Sequence, residues 1–126
     1  MNFLAVFIGG GLGSLARYSL GLGISKLGWL SPWSTLASNV LATALLLTLM
    51  VQASAGAAGW PAKSQPLFLL LTVGFCGAFS TFSTFAADTL ALNTSHGLAW
   101  AVGNVATNVL LCLAVGYFIW ANSPAN

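Results

Sequence analysis

Residues 74–85 read GFCGAFSTFSTF, and the fold turns on how that stretch is understood. It lies inside an apolar run, residues 67–92, long enough to cross a hydrocarbon core that needs about 20 residues of helix. Two glycines, four hydroxyl residues and four phenylalanines share its twelve positions, a mixture with no use on a lipid-facing helix. Backbone at membrane depth has no water to bond, so an interrupted helix is tolerated there only inside protein or beside a water-filled cavity. The reading is a helix broken near residues 74–79, where Gly74 and Gly77 lie, at a polar mid-membrane site, and that site is expected to be the functional one.

Composition supports a membrane setting. Only 3% of the 126 residues are charged and the mean hydropathy is +0.92, whereas soluble domains carry roughly 25% charged residues. So few charges cannot cover a water-facing surface. Removing candidate loops leaves four spans at about 2–20, 34–51, 67–92 and 98–121, all within a single transmembrane domain, 1–126. Four short helices enclose little space, so an oligomer is expected. No cleavable signal peptide is expected, because residues 1–8 lack a basic start and the apolar run continues through Gly9–Gly13. Cys76 and Cys112 both fall in spans and read as free thiols that behave as small apolar groups. A net charge of +2 without a basic patch points to no nucleic-acid partner.

Outward from the central stretch, each span carries its own signal. In the first, Gly9 and Gly13 are four apart, as are Gly10 and Ser14, the spacing that lets helices approach closely in lipid. Gly11-Leu-Gly13-Ser-Leu-Ala16 formally matches a dinucleotide fingerprint, but that motif needs a βαβ unit and an acid about 20 positions on, and the only acid is Asp88. Arg17 and Tyr18 close this span, either as an interfacial anchor or as a cation at the mouth of an anion path; spacing favours the anchor. Residues 21–33 read as a loop broken by Gly21, Gly23, Gly28 and Pro32. Thr35, Asn39 and Thr43 then form a polar stripe on the second span, and Asn104, Asn108 and Cys112 form another on the fourth. A second loop over 53–66 carries Trp60 and Lys63, and a third of about four residues holds His96 and an Asn93-Thr-Ser sequon whose use is not expected so near the membrane.

Charge is balanced across the membrane. The N-terminal amine and Lys63 fall on one side, Arg17 and Lys26 on the other, so the positive-inside rule has almost nothing to act on. Such a chain can insert in both orientations, which would allow an antiparallel, dual-topology homodimer.

The polar residues of three spans can converge: Asn39, the run from Ser80 to Thr84 that includes Ser83, and Asn108. Amides and hydroxyls donate hydrogen bonds, and Phe82 and Phe85, three apart, can turn the positive edges of their rings toward an anion. Ordinary packing is the competing account of that pair. No stripe contains a carboxylate, which argues against proton or cation coupling; donors with ring edges suit a small, hard anion. Carbonyls freed at the helix break could hold a monovalent cation. No nucleophile–base pair or metal cluster suggests an enzyme, and no catalytic residue is assigned.

These residues resemble the Fluc (CrcB-type) family of bacterial fluoride channels. The run from Gly9 to Tyr18 looks like the family's glycine-rich first helix ending in Arg-Tyr or Arg-Trp. Thr35-Leu-Ala-Ser-Asn39 is similar to its G-T-L-x-x-N, and residues 74–85 are similar to its G-x-x-G-G-x-T-T-F-S-T-F, with Asp88 where an acid is usual. The resemblance covers nearly the whole chain. It implies an all-α membrane protein with four transmembrane helices per subunit, a broken third helix and an antiparallel homodimer holding two fluoride pores. Phe82 and Phe85 would supply ring edges, with Ser83 and Thr84 of the same string beside them. Asn39 would be the donor of the second helix, and Asn108 and Cys112 would lie on a polar track of the fourth. A structural sodium ion on the dimer axis would be held by backbone carbonyls of Gly77 and Ser80, while Arg17 and Asp88 would serve vestibule or structural roles. The implied activity is passive, multi-pass fluoride export across the bacterial cytoplasmic (inner) membrane, lowering cytoplasmic fluoride toxicity.

The chain departs from the pattern at Ser34, Ala42, Ala78, Ser80 and Cys112. Ala78 requires an α- or β-region backbone, because a left-handed conformation is costly with a Cβ. The rival reading is a small multidrug-type, dual-topology cation exporter. That chemistry needs a mid-membrane carboxylate, and Asp88, toward a helix end, is the one candidate.

Overall fold

The computed structural model describes residues 1–56, 62 and 65–123. Among these, all regular structure is helical: α1 (Asn2–Lys26), α2 (Ser31–Ser54), α3 (66–79), α4 (Phe82–His96) and α5 (Leu98–Ala121). Four stretches are long and apolar enough to cross a membrane, the third being Pro66–His96, which combines α3 and α4. Trp60 and Lys63 lie outside the described residues.

Helix α1 continues six residues past the expected end at Leu20, through Gly21 and Gly23, and stops only at Lys26. A glycine costs a helix about 1 kcal/mol relative to alanine, whereas opening backbone groups to lipid costs several. The connection to α2 therefore shrinks to 27–30, turned by Gly28 at φ 75. Pro32, expected as a loop breaker, sits in the first turn of α2, where its missing N–H has no intrahelical partner to lose. The third connection is shorter still. Helix α4 reaches His96, so Asn93 and His96 are helical rather than in a loop, and Gly97 alone, at φ 92, reverses the chain into α5.

Helix α1 packs mainly on α3, α2 on α5, and α4 on α5. The α1–α3 seam is built from glycine. A Cβ at Gly9 would collide with the carbonyl of Leu70, one at Gly13 with the carbonyl of Phe75, and one at Gly74 would lie 2.8 Å from the Val6 carbonyl. At this seam α3 is π-helical over Leu70–Cys76, a local widening that changes which carbonyls face a neighbour. The apolar core is small: Leu49, Phe68 and Cys76, with Leu46, Leu71 and Phe75 against it. Most large apolar side chains face outward, among them Phe3, Phe7, Leu90, Trp100, Leu110 and Phe118, as lipid requires. Span hydroxyls are satisfied by the preceding turn, as with Thr72 to Phe68 O (2.7 Å) and Thr48 to Ala44 O (2.8 Å).

Candidate functional site

The helix break lies at Ser80 (φ −73, ψ 159) and Thr81 (φ −154, ψ 118), both extended. The sequence reading placed it earlier, near 74–79, on the strength of the glycines. Those glycines are helical: Gly74 admits α1, and Gly77 is αR with open space where a side chain would be. The break is made instead by capping chemistry. Thr81 is the N-cap of α4, its Oγ1 accepting from Thr84 N (3.2 Å), the bond that satisfies an orphan donor of a new helix. Its own N–H, which an unbroken helix would give to Gly77 O, goes to Asn39 Oδ1 at 2.8 Å. Ala78 is helical, and among the described residues none other than glycine has a positive φ, so its Cβ is accommodated without strain.

Asn39 in turn donates through Nδ2 to Asn108 Oδ1 (3.1 Å), joining α2 to α5 behind the break. Around them lies a cleft of about 290 Å³ lined by Asn39, Thr43, Ser80, Thr81, Phe82, Phe85, Asn108, Val109 and Cys112. The structure thus gathers six expected residues: Asn39, Ser80, Phe82, Phe85, Asn108 and Cys112. The Phe82 and Phe85 rings meet at 5.7 Å with a 51° tilt. Phe82 is 80% exposed, so in a single chain one side of the cleft is open. Ser83 and Thr84 do not line it. Their hydroxyls cluster on Thr81 Oγ1 at 3.2 and 3.1 Å and belong to the cap.

Thr81 and Thr43 were not named as site residues from the sequence. Thr81 was detectable: a hydroxyl residue three positions before Thr84 at a helix start is a capping signature. Thr43 is turned back to Asn39 O (2.8 Å).

Asp88 and Arg17 lie outside the cleft, and both correct the sequence reading. Asp88 is buried in α4 and accepts a 2.6 Å hydrogen bond from Thr35 Oγ1. A carboxylate therefore does stand beside the α2 stripe, one helical turn from Asn39, because α4 is pressed onto α2 below the break. Removing a donor to a buried carboxyl group leaves it unsatisfied, a cost of about 1–3 kcal/mol. Thr35→Val should accordingly lower the thermal unfolding temperature of the detergent-solubilised protein while Thr35→Ser does not; equal stability of parent and Thr35→Val would show the pair contributes nothing. Arg17 sits within α1, nine residues before Lys26 rather than at the helix end, with its Nε buried and, among the described residues, without a hydrogen-bond partner.

Among the described residues, no charged side chain lines the cleft. Its chemistry is that of neutral donors and aromatic edges. At its back, Gly77 O has lost the Thr81 N–H, and Ser80, the extended C-cap of α3, gives its N–H to Cys76 O (3.0 Å) while its own carbonyl lies past the end of that helix. Such neutral carbonyls fit a monovalent cation, and no group of three His, Cys, Asp or Glu that could hold a metal occurs among the described residues. Cys76 and Cys112 are both free thiols.

Four spans with the third interrupted beside an uncharged donor cleft define a multi-pass helical membrane protein organised around a helix-break site. The chain belongs to the CrcB family: the family model described as CrcB-like protein, Camphor Resistance (CrcB), matches residues 4–120. It is similar to the Fluoride-specific ion channel FluC of Escherichia fergusonii, with 36% identity over 129 positions covering 98% of this chain and 96% of the relative. Similarity to the protein of the same name from an Enterobacter species is 36% over 127 positions, covering 98% and 94%. The Fluoride-specific ion channel FluC 1 of Yersinia pestis is 38% identical over 129 positions, covering 99% and 97%.

Proposed function

We propose that this protein is a fluoride-selective channel that exports fluoride passively across the bacterial inner membrane. One observation carries the reading. The cleft at the helix break combines amide donors with the Phe82–Phe85 ring pair and, among the described residues, no formal charge, in a chain similar over almost its full length to proteins named fluoride-specific ion channels. A small anion leaving water needs donors in place of its hydration shell, and the second N–H of the Asn39 amide, whose first goes to Asn108 Oδ1, would supply one beside the ring edges. The absence of a fixed cation from the wall keeps the anion from being held too tightly to leave. Undissociated acid crosses the bilayer and releases fluoride in the more alkaline cytoplasm, and the channel returns the anion down its gradient.

The working unit is an antiparallel homodimer. Phe82 is exposed in one chain, and on α1 the small residues Gly10, Gly11 and Ser14, with Ala78 of α3, line a groove of about 520 Å³ together with apolar Phe7, Leu12 and Leu15, a surface onto which another helix can close. A second copy would supply the missing wall of the cleft. Carbonyls of Gly77 and Ser80 would hold a structural sodium ion at that junction, neutralising their lone pairs. The multidrug-exporter reading is not favoured, since Asp88 is committed to Thr35 and lies off the cleft.

Purified protein in potassium-loaded liposomes should, on addition of valinomycin, release fluoride rapidly and chloride scarcely at all. Well-folded protein that releases no fluoride would sink the channel reading.

A further inference from the structure

A second cavity, of about 390 Å³, lies where the start of α2, the end of α4 and the start of α5 meet. Its wall includes Trp33 and Leu36 of α2, Leu92 of α4, and Trp100, Gly103 and Thr107 of α5. That volume falls in the range of small-molecule sites. Trp33 and Trp100 are 50% and 58% exposed, so the cavity is open on their side, at the membrane–water boundary where indoles settle. From Trp100 the wall follows α5 to Thr107, about 10 Å deeper.

The uncommitted polar groups of this wall are of one kind. The hydroxyls of Thr43, Thr48, Thr72 and Thr89 each turn back to the carbonyl four residues earlier. Thr107 does not, and it is the one threonine that makes no hydrogen bond to a described residue. The indole N–H groups of Trp33 and Trp100 likewise make none among the described residues. Asn104, also in the wall, is engaged through both ends of its amide, with Thr89 Oγ1 (2.8 Å) and Asn108 Nδ2 (3.3 Å). What is left is one hydroxyl and two indoles, which can only donate, so the complement is an acceptor. Among the described residues no charged side chain lines the cavity. An unpaired charge brought against so apolar a wall would be costly, and the acceptor therefore belongs to a neutral molecule.

We propose that this cavity binds a small neutral lipophile with one carbonyl-type acceptor, taken up from the bilayer with that acceptor on Thr107, and that the occupant obstructs the anion path. Leu36 is one turn from Asn39 on α2, and Thr107 adjoins Asn108 on α5. The cavity thus lies one helical turn beyond the Asn39–Asn108 bond, on the side away from Thr43 and Cys112. The binding site stands on its own geometry. Only the obstruction rests on the reading of the cleft as an anion path.

The probe is a ring-brominated adamantanone, a caged ketone whose bromine quenches indole fluorescence on contact, added to full-length protein in liposomes. Quenching should saturate in the parent. Thr107→Val, which exchanges a hydroxyl for a methyl, should weaken binding about tenfold, the factor that one hydrogen bond can represent. Bromoadamantane, which lacks the carbonyl, should bind the parent about tenfold more weakly than the ketone and be indifferent to Thr107→Val. Gly103→Phe sets a ring into the cavity where an added Cβ meets nothing within 4 Å, and should abolish saturable quenching. Thr107→Val carries the test if that variant does not assemble. Fluoride efflux from the parent should fall over the same range of ketone concentration, and Thr107→Val should need about tenfold more. Quenching that rises linearly and equally in parent and variants overturns the proposal: the ketone then merely partitions into lipid, or a second copy or an acyl chain already fills the cavity. Saturable binding that leaves the efflux of a conducting parent unchanged overturns the obstruction. A parent that binds the ketone yet passes no fluoride overturns the channel reading and the obstruction with it, and leaves the site standing.

Discussion

Phe82→Ile lowers fluoride flux by about tenfold or more and leaves the folded chain intact. The two halves of that expectation have separate physical causes. Phe82 is 80% exposed and its recorded ring contact is with Phe85, so its removal costs one chain little, within about 0.5 kcal/mol for an exposed site. Isoleucine keeps an apolar side chain of comparable bulk but has no ring quadrupole, and therefore no positive edge to offer an anion. A tenfold change in rate corresponds to about 1.4 kcal/mol, near the upper range of what one aromatic edge contributes. Phe85→Ile should be at least as severe, because Phe85 is half-buried at the cleft and its carbonyl receives the Thr89 hydroxyl. Initial efflux rates normalised to reconstituted protein, alongside elution profiles in detergent, separate conduction from assembly. Full flux in both variants would return the ring pair to simple packing.

The largest loss of folded protein is expected from a single methyl group on the α1–α3 seam. In Gly9→Ala and Gly13→Ala the new Cβ would run into the backbone carbonyls of Leu70 and Phe75, and in Gly74→Ala it would lie 2.9 Å from Gly9 Cα. These are backbone atoms of a neighbouring helix and cannot rotate aside. Relief requires α1 to lift off the π-helical turn of α3, at a cost of roughly 3 kcal/mol or more. Gly23→Ala and Gly103→Ala, also helical, meet nothing within 4 Å in the chain, so they serve as controls with the same change in helix propensity. Seam variants should aggregate on extraction, while the controls elute as folded protein. Monodisperse, thermally stable Gly13→Ala protein would show that the two helices are free to separate. Because α3 ends at the break, loosening this seam would also disturb the register of Ser80 and Thr81 against Asn39.

Much of this was legible in the sequence because the bilayer imposes simple rules. Span length, scarcity of charge and four-residue spacing of polar side chains identified the membrane class, the four helices and the residues Asn39, Phe82, Phe85, Asn108 and Cys112 that meet in the cleft. The errors share a cause. Glycine was treated as a breaker at Gly21, Gly23, Gly74 and Gly77, and at all four the backbone is helical. In water a glycine costs a helix about as much as it gains in freedom, but in lipid the alternative is an unbonded peptide group, so the helix persists and the glycine serves packing. Asp88 was placed at a helix end by counting along one segment, a count blind to the burial of that segment against α2.

Hydrophobic periodicity and composition alone determine that this chain spans a membrane with four helices and carries donors at mid-depth, since those properties follow from transfer of each side chain into hydrocarbon, residue by residue. The location of the break at Ser80–Thr81, the pairing of Asp88 with Thr35 and the pairing of Asn39 with Asn108 were decided only in three dimensions. Each depends on a hydrogen bond between residues far apart in the chain, as from Thr81 to Asn39 and from Asn39 to Asn108. A backbone N–H abandons its own helix only where another segment presents an acceptor, and no local pattern records which segment that is.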